Sequence, residues 1–323
     1  MSNRNQLISP YPGGKGRPRY LPTVMGVPQS LICDRPYVYD AIVEPLAGSG
    51  ATIFEHPHGT TSAIAADVDW GVKAVWRCWS EPELRAAVNE EIDFWKVRIE
   101  FDPHGTFTRL KDIHDFPNPH SPVDYAAAYL TLKRLTFGGA LRCNRQRELN
   151  VNLSQDKLKK YLNGWRREWP DNGIQRLSFR DGWQGAVEAL ADSEYEKALV
   201  VIDAPYYTPE KKMTEVYAHH GDPGSDDVMR LTTDCLDAVL ATGKAERVVV
   251  FNYASDILIE AVEEILNRYN RTFHFSDLGP LNTMNNGQGN PCHGYYSECV
   301  WEIGGKRMFQ DQDAVRQYSL LEA

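Results

Sequence analysis

The sequence predicts an α/β protein, a mostly parallel sheet carrying helices and broken once by a mostly helical, hairpin-bearing insertion. Two observations carry that prediction, and a third places a site on the fold. Short apolar runs bounded by turn residues alternate with helical periodicity, both before about residue 80 and after about residue 172. One run, Tyr37 to Val43, empties into the glycine turn Glu44-Pro45-Leu46-Ala47-Gly48-Ser49-Gly50, and another, Ala198 to Ile202, empties into Asp203-Ala204-Pro205-Tyr206. Ligands of open α/β sheets bind beyond the carboxyl ends of the strands, so both turns fall where a site belongs.

The elements follow in order. Leu7 to Arg19 reads as a loop, because Pro10, Pro12, Gly13, Gly14, Gly16 and Pro18 interrupt any regular structure. Tyr37 to Val43 is a strand, Ala51 to Phe54 starts a helix, and Ser62 to Ala66 is a second strand ending at Asp67. Gly71 to Trp79 and Glu81 to Ile99 carry apolar residues at helical spacing. Pro103 to Pro122, rich in His, Asp and Pro, reads as a connection; Ala126 to Leu135 is a helix. Phe137 to Leu153 suggests a hairpin, with Gly138-Gly139 ahead of a strand-like Glu148 to Asn152.

Alternation resumes with a strand from Ile174 to Phe179 that ends near Asp181, and a helix from Ala186 to Leu190. Further strands are expected at Ala198 to Ile202, Arg247 to Phe251 and Ser297 to Ile303, with helices at Val228 to Leu240 and Ile257 to Tyr269. This divides the chain into an α/β sheet domain, 1–79 with 173–323, and an insertion, 80–172.

At 323 residues the chain can bury a full core, and its 42% apolar and 24% charged residues are ordinary for a water-soluble protein. No apolar run reaches the roughly 18 residues of a membrane span, and Met1 to Asn5 lacks a secretion signal's apolar stretch. The expectation is a cytoplasmic protein, monomeric or weakly dimeric. Its six cysteines form no CxxC pair, which favours neither a zinc site nor a disulfide framework. Cys292-His293 with Cys299 could supply metal ligands, but unpaired thiols in a reducing cytoplasm are the better reading. No metal is expected.

The net charge of −9 argues against a polyanion as partner, but its distribution reverses that locally. Between Lys133 and Arg167 ten basic residues stand against only Glu148 and Asp156. Such a patch neutralises phosphates. A solvated helical face accounts for Lys157 to Tyr161 equally well. It does not account for the part before Asn152, where Gly, Asn and Arg recur without helical spacing.

Gly48 and Gly50 permit a tight turn and close approach of backbone to a cofactor. Asp67, 17 positions after Gly50, is placed to accept hydrogen bonds from ribose hydroxyls, or else to cap the helix that begins near Gly71. At the second turn, the Asp203 carboxylate and the Ala204 carbonyl can accept from an exocyclic amine, while Tyr206 stacks on a planar base. No nucleophilic side chain is needed, because the oriented amine attacks and catalysis lies in positioning and charge. A plain strand-to-turn junction is what the Asp-Ala-Pro-Tyr stretch would suggest in isolation.

Several of these stretches together resemble the Dam-type DNA adenine-N6 methyltransferases, from about Ser9 to Gly305. Tyr11-Pro12-Gly13-Gly14-Lys15 is similar to that family's N-terminal element, and Val43 to Ala51 to its cofactor loop. Asp203-Ala204-Pro205-Tyr206 resembles its catalytic Asp-Pro-Pro-Tyr. Gly138 to Asn144 with Glu148 to Asn152 resembles its recognition hairpin. The resemblance implies a Rossmann-like fold, S-adenosyl-L-methionine as cofactor, double-stranded DNA as partner, and a prokaryotic or phage origin. It implies cofactor contacts at Tyr11, Lys15, Glu44, Pro45, Gly48, Gly50, Asp67 and Asp181, the last toward the cofactor's adenine. Catalytic roles fall on Asp203, Ala204, Pro205 and Tyr206, and DNA contacts on Arg134, Arg142, Asn144, Arg147 and Asn150.

This chain departs from the family in having Ala204 for the first catalytic proline, and Gly138 and Asn152 for a hairpin Asn and Pro. Ala204 keeps the carbonyl but loses a fixed dihedral, and the hairpin changes leave the recognition sequence open. RNA or protein-glutamine methylation, and a DNA-binding pseudoenzyme, are the rival readings. The +8 insertion segment argues against the first, since an amide-methylating enzyme needs no such hairpin.

Overall fold

The computed structural model describes residue 15 and residues 19–115, 120–135, 169–170, 173–207, 225–280 and 297–310. A small hairpin, β1 (Thr23–Val24) with β2 (Val27–Pro28), precedes the main sheet. The first two strands of that sheet are β3 (Ala41–Glu44) and β4 (Ser62–Asp67), with α1 (Ala51–Glu55) between them. Four helices follow, α2 (Trp70–Ser80), α3 (Pro82–Phe101), α4 (Pro103–Asp115) and α5 (Pro122–Leu135). Then come β5 (Arg176–Asp181), α6 (Gly182–Asp192), β6 (Ala198–Asp203), α7 (Ser225–Ala241), β7 (Ala245–Tyr253), α8 (Asp256–Arg268), β8 (Phe273–Pro280) and β9 (Ser297–Ile303).

Among the described residues the main sheet has seven strands in the order β5-β4-β3-β6-β7-β9-β8. The first five run parallel; β9 lies antiparallel to both β7 and β8. Period-two alternation divides the strands between two cores. Ile42, Ala65, Leu199, Val201, Phe251 and Val300 face α2 to α5. Val43, Ile64, Val200, Ile202, Val250 and Trp301 face α6 to α8. With buried residues on both faces, the central strands are the near-continuous apolar runs that the sequence displays. Helices α3 to α5 contribute Val88, Ile92, Trp95, Leu110 and Tyr129 to the first core, so they share it with the sheet.

The β1–β2 hairpin had no signal in the sequence, β3 begins at Ala41 and not at Tyr37, whose left-handed φ of 67° is a turn conformation, and two larger elements are corrected as well. Residues 103–115, expected as a connection, form α4, which buries Thr106, Leu110, Ile113 and His114 at spacings of four, three and one. Four buried positions on a polar helix give a thin stripe, and Pro103 at its start is a helix-opening residue rather than a breaker. Strand β8 was not expected at all. Phe273 and Phe275 alternate with His274 and Ser276, a pattern too short and polar to stand out before β9 is there to pair with it. The segments around Tyr11, Arg142, Asn144, Arg147 and Asn150, with the hairpin expected over 137–153, lie outside the described residues.

Candidate active site

Four adjacent parallel strands each end on a carboxylate. Asp181 ends β5, Asp67 ends β4, Glu44 ends β3 and Asp203 ends β6, side by side in the sheet order. The chain leaves β3 toward β4 on one side and returns to β6 on the other, so this row sits at the switch point where open α/β sheets bind ligands.

The glycine turn fills the space above β3. Gly48 and Gly50 take left-handed φ of 46° and 69°. The Gly48 N–H donates to Asp67 Oδ2 at 2.9 Å, and the Asp69 N–H donates to Asp67 Oδ1 at 2.8 Å. Asp67 is therefore the brace of the turn, and it does not cap α2. That role belongs to Asp69, which accepts from the N–H groups of Gly71 and Val72. Each Asp67 oxygen retains lone pairs for a further donor. Burial, with Asp69 nearby, raises the Asp67 carboxyl to about 6.

Glu44 is buried, and its Oε2 has no hydrogen-bond partner among the described residues. Burial pushes its carboxyl well above the usual range. An orphaned buried acceptor beside a positive-φ glycine turn fits a donor-bearing cationic ligand such as a sulfonium cofactor with an amino group. Asp181, at the edge of the row, is exposed and pairs with Lys73. Lys73 Nζ also lies 4.3 Å from the centre of the Trp70 ring, and Trp70 and Val68 are exposed beside it. That apolar shelf had no signal in sequence beyond two hydrophobic residues flanking Asp69.

At the other end of the row Lys15 is only 2% exposed and its Nζ donates to Asp203 Oδ1 and to the Tyr206 hydroxyl, both at 2.7 Å. Read from sequence as a cofactor ligand, Lys15 instead stands on the Asp203–Tyr206 turn. The Tyr206 hydroxyl donates to Glu298 Oε1, and Tyr20 donates to Glu298 Oε2 at 2.5 Å. Burial pushes the Asp203 carboxyl up while Lys15 holds it back. Ala204 is buried, and the turn is also held from the next strand: Asn252 Oδ1 accepts from the Tyr207 N–H at 2.7 Å. Glu298, Tyr20 and Asn252 had no motif to announce them. Asn252 meets Tyr207 because β7 pairs with β6, and Glu298 reaches Tyr206 from β9, one strand further on, bringing Tyr20 with it.

Lys133 counted toward the basic stretch in sequence, but it is 5% exposed and lies over the Tyr129 ring. Burial lowers its pKa to about 8. It belongs to the α5 packing rather than to a phosphate-facing patch. Arg134, next to it, is half-buried at the point where α5 leads into the expected hairpin.

The model of the D12 class N6 adenine-specific DNA methyltransferases matches residues 30–273. The chain belongs to that family. This D12-class enzyme therefore methylates adenine in DNA, and an S-adenosylmethionine-type methyl donor goes with that chemistry. The matched span includes Glu44, Asp67, Asp181 and Asp203, whereas Lys15 and Glu298 lie on either side of it. No curated protein matches the sequence. Two solved structures of the rRNA methyltransferase aviRa from Streptomyces viridochromogenes are similar to the enzyme. One is 16% identical, with 72% of this chain and 68% of that chain covered at a TM-score of 0.27. The other is 13% identical, with 88% and 79% covered at a TM-score of 0.32. No helix among the described residues is long and apolar enough to cross a membrane.

Proposed function

We propose that the row of carboxylates divides the work of N6 methylation, with Glu44, Asp67 and Asp181 toward the cofactor and Asp203 toward the target adenine. The observation that carries this is the row itself, with Asp181 at one end, the braced glycine turn above β3 within it, and the Asp203–Tyr206 turn at the other end. S-adenosylmethionine supplies an electrophilic methyl group when bound. Asp67 accepts ribose hydroxyls, Glu44 meets the cationic portion, and Asp181 with Trp70 borders the adenine end. Asp203 and the Ala204 carbonyl accept the two amine hydrogens of the target base and aim its lone pair, while Tyr206 supplies a stacking face. An amine inside a duplex is out of reach, so the base must leave the stack. Lys15 donates to Asp203 Oδ1 in this structure, and the carboxylate keeps acceptor capacity for the incoming amine.

The segment 80–172 is proposed as the recognition insertion, and the enzyme as a monomer or weak dimer. Arg142, in the hairpin expected from sequence and suited to reading guanine, is expected to cost about 1–3 kcal/mol of sequence preference when changed to Ala. Changing Lys159 and Lys160 is expected to weaken all DNA alike and flatten the salt dependence. Uniform weakening by Arg142→Ala would place that residue on phosphate instead. Base-resolution sequencing of DNA from cells expressing the chain tests the function as a whole, the expected result being N6-methyladenine in one short sequence context. DNA without it would overturn the proposal.

The cofactor half has its own test. A hydroxyl donates best to an ionised carboxylate, and Asp67 loses its charge below about pH 6. Affinity for S-adenosylmethionine is therefore expected to fall by up to about tenfold per unit as pH drops below that value. Calorimetric titration across pH should show the inflection in wild type and none in Asp67→Asn. An inflection that survives in Asp67→Asn assigns it to another group.

A further inference from the structure

We propose that Glu298 is the positioning residue of the target-base pocket, fixing the Tyr206 ring through its hydroxyl and tying that ring to Asp203 through Lys15. This rests on the reading above, in which Asp203 and Tyr206 receive the base.

Glu298 is wholly buried, on β9, the only strand of the sheet antiparallel to both its neighbours among the described residues. A carboxylate there is costly unless both oxygens are satisfied. Both are. One accepts the Tyr206 hydroxyl and the other the Tyr20 hydroxyl, with Lys15 Nζ at 3.6 Å and Arg19 Nη1 at 3.7 Å. The Tyr206 oxygen is consequently used in both directions, donating to Glu298 and accepting from Lys15. A phenol engaged that way cannot swing. Its ring also meets Tyr253 edge-on at 4.7 Å, and Tyr253 pairs with Glu298 across the β7–β9 ladder. The stacking ring is therefore held from two sides by neighbouring strands.

A purely structural role explains this poorly. Buried ion clusters are seldom more stable than apolar packing of the same volume. What the cluster does supply is a fixed relation between Asp203 and Tyr206, because one ammonium group bonds both. Misplacement of a reacting group by about 1 Å can cost on the order of a hundredfold in rate, so that fixed relation is the kind of geometry an active site requires.

The experiment is single-turnover methyl transfer to duplex DNA of many sequence contexts, by the full chain, with Glu298→Gln, Tyr206→Phe and the double variant. Glu298→Gln keeps the volume and one acceptor but loses the charge, so one phenol must let go. Each single variant is expected to slow transfer by about 30- to 100-fold, with KM for DNA and Kd for S-adenosylmethionine changed by less than about threefold. The double variant should be no slower than the slower single variant. If Glu298→Gln slows the Tyr206→Phe background as much as it slows wild type, Glu298 does not act through Tyr206 and the proposal is overturned. Tyr206→Phe leaves Glu298 its contacts with Tyr20, Lys15 and Arg19, so it tests the tether even where Glu298→Gln fails to fold. Transfer at the wild-type rate by Tyr206→Phe also overturns the proposal. Undiminished transfer by Asp203→Asn would instead overturn the underlying reading of the site.

Discussion

An Asp203→Asn enzyme is expected to bind S-adenosylmethionine normally and to transfer methyl groups about 10²- to 10³-fold more slowly, the usual loss when one charge-stabilising group is removed. In the proposed mechanism the carboxylate accepts from the amine, pushes electron density toward the nitrogen and stabilises the positive charge that develops there as the new bond forms. Asparagine keeps the shape and one acceptor but neither the charge nor the second oxygen. Alanine would be a poorer test, because Lys15 is 2% exposed and would be left with Glu298 at 3.6 Å. Breaking a buried pair costs about 3–5 kcal/mol, enough to confuse misfolding with lost chemistry. Single-turnover transfer of labelled methyl groups, paired with calorimetry for the cofactor, separates the two steps. Full transfer by the variant would remove Asp203 from the mechanism.

Gly50→Ala is expected to cost about 2–5 kcal/mol of stability, from left-handed strain and overpacking together. The backbone φ there is 69°, and a Cβ would lie 2.7 Å from Trp76 Cζ2 and 2.9 Å from the Phe54 ring. Neither ring can yield. Trp76 stacks on Phe179 and donates its indole N–H to the Gly48 carbonyl, and Phe54 packs edge-on against Trp79. The melting temperature should fall by on the order of 10 °C, and cofactor affinity should fall with it because the displaced turn no longer meets Asp67. Scanning calorimetry and titration below the transition check both. An unchanged melting point would mean that the turn relaxes freely and is not the rigid cradle described above.

The parallel half of the fold was legible because its strands are buried on both faces and stop at acidic or turn residues. Val200, Val201 and Ile202 running into Asp203 announce both the strand and its end. Helix α4 and strand β8 were not legible, since a helix with four buried positions and a strand with two aromatics bury too little to leave a pattern. The site shows the same division. Glu44, Asp67, Asp181 and Asp203 stand at strand ends that sequence can locate, whereas Glu298 is set among Tyr295, Tyr296 and Ser297 with nothing local to mark it. Its importance arises from pairing between β7 and β9, and a single sequence does not display strand order. The placement of Lys15 on Asp203 rather than toward the cofactor has the same origin, because 188 positions separate the two residues.

That separation bears on when the protein acquires activity during synthesis. Lys15, Asp203 and Glu298 come from the beginning, the middle and nearly the end of the chain, and β9 must slot between β7 and β8 before Glu298 reaches Tyr206. Contacts of such long range form slowly, since loop closure must precede any gain from them. On the proposed division of roles, a ribosome-bound chain that has completed β7 is expected to assemble the cofactor half, with Glu44, Asp67 and the glycine turn in place, while the target-base pocket still lacks a wall. Such a nascent protein would bind cofactor without a base clamp, and would mark DNA only once the ninth strand has emerged.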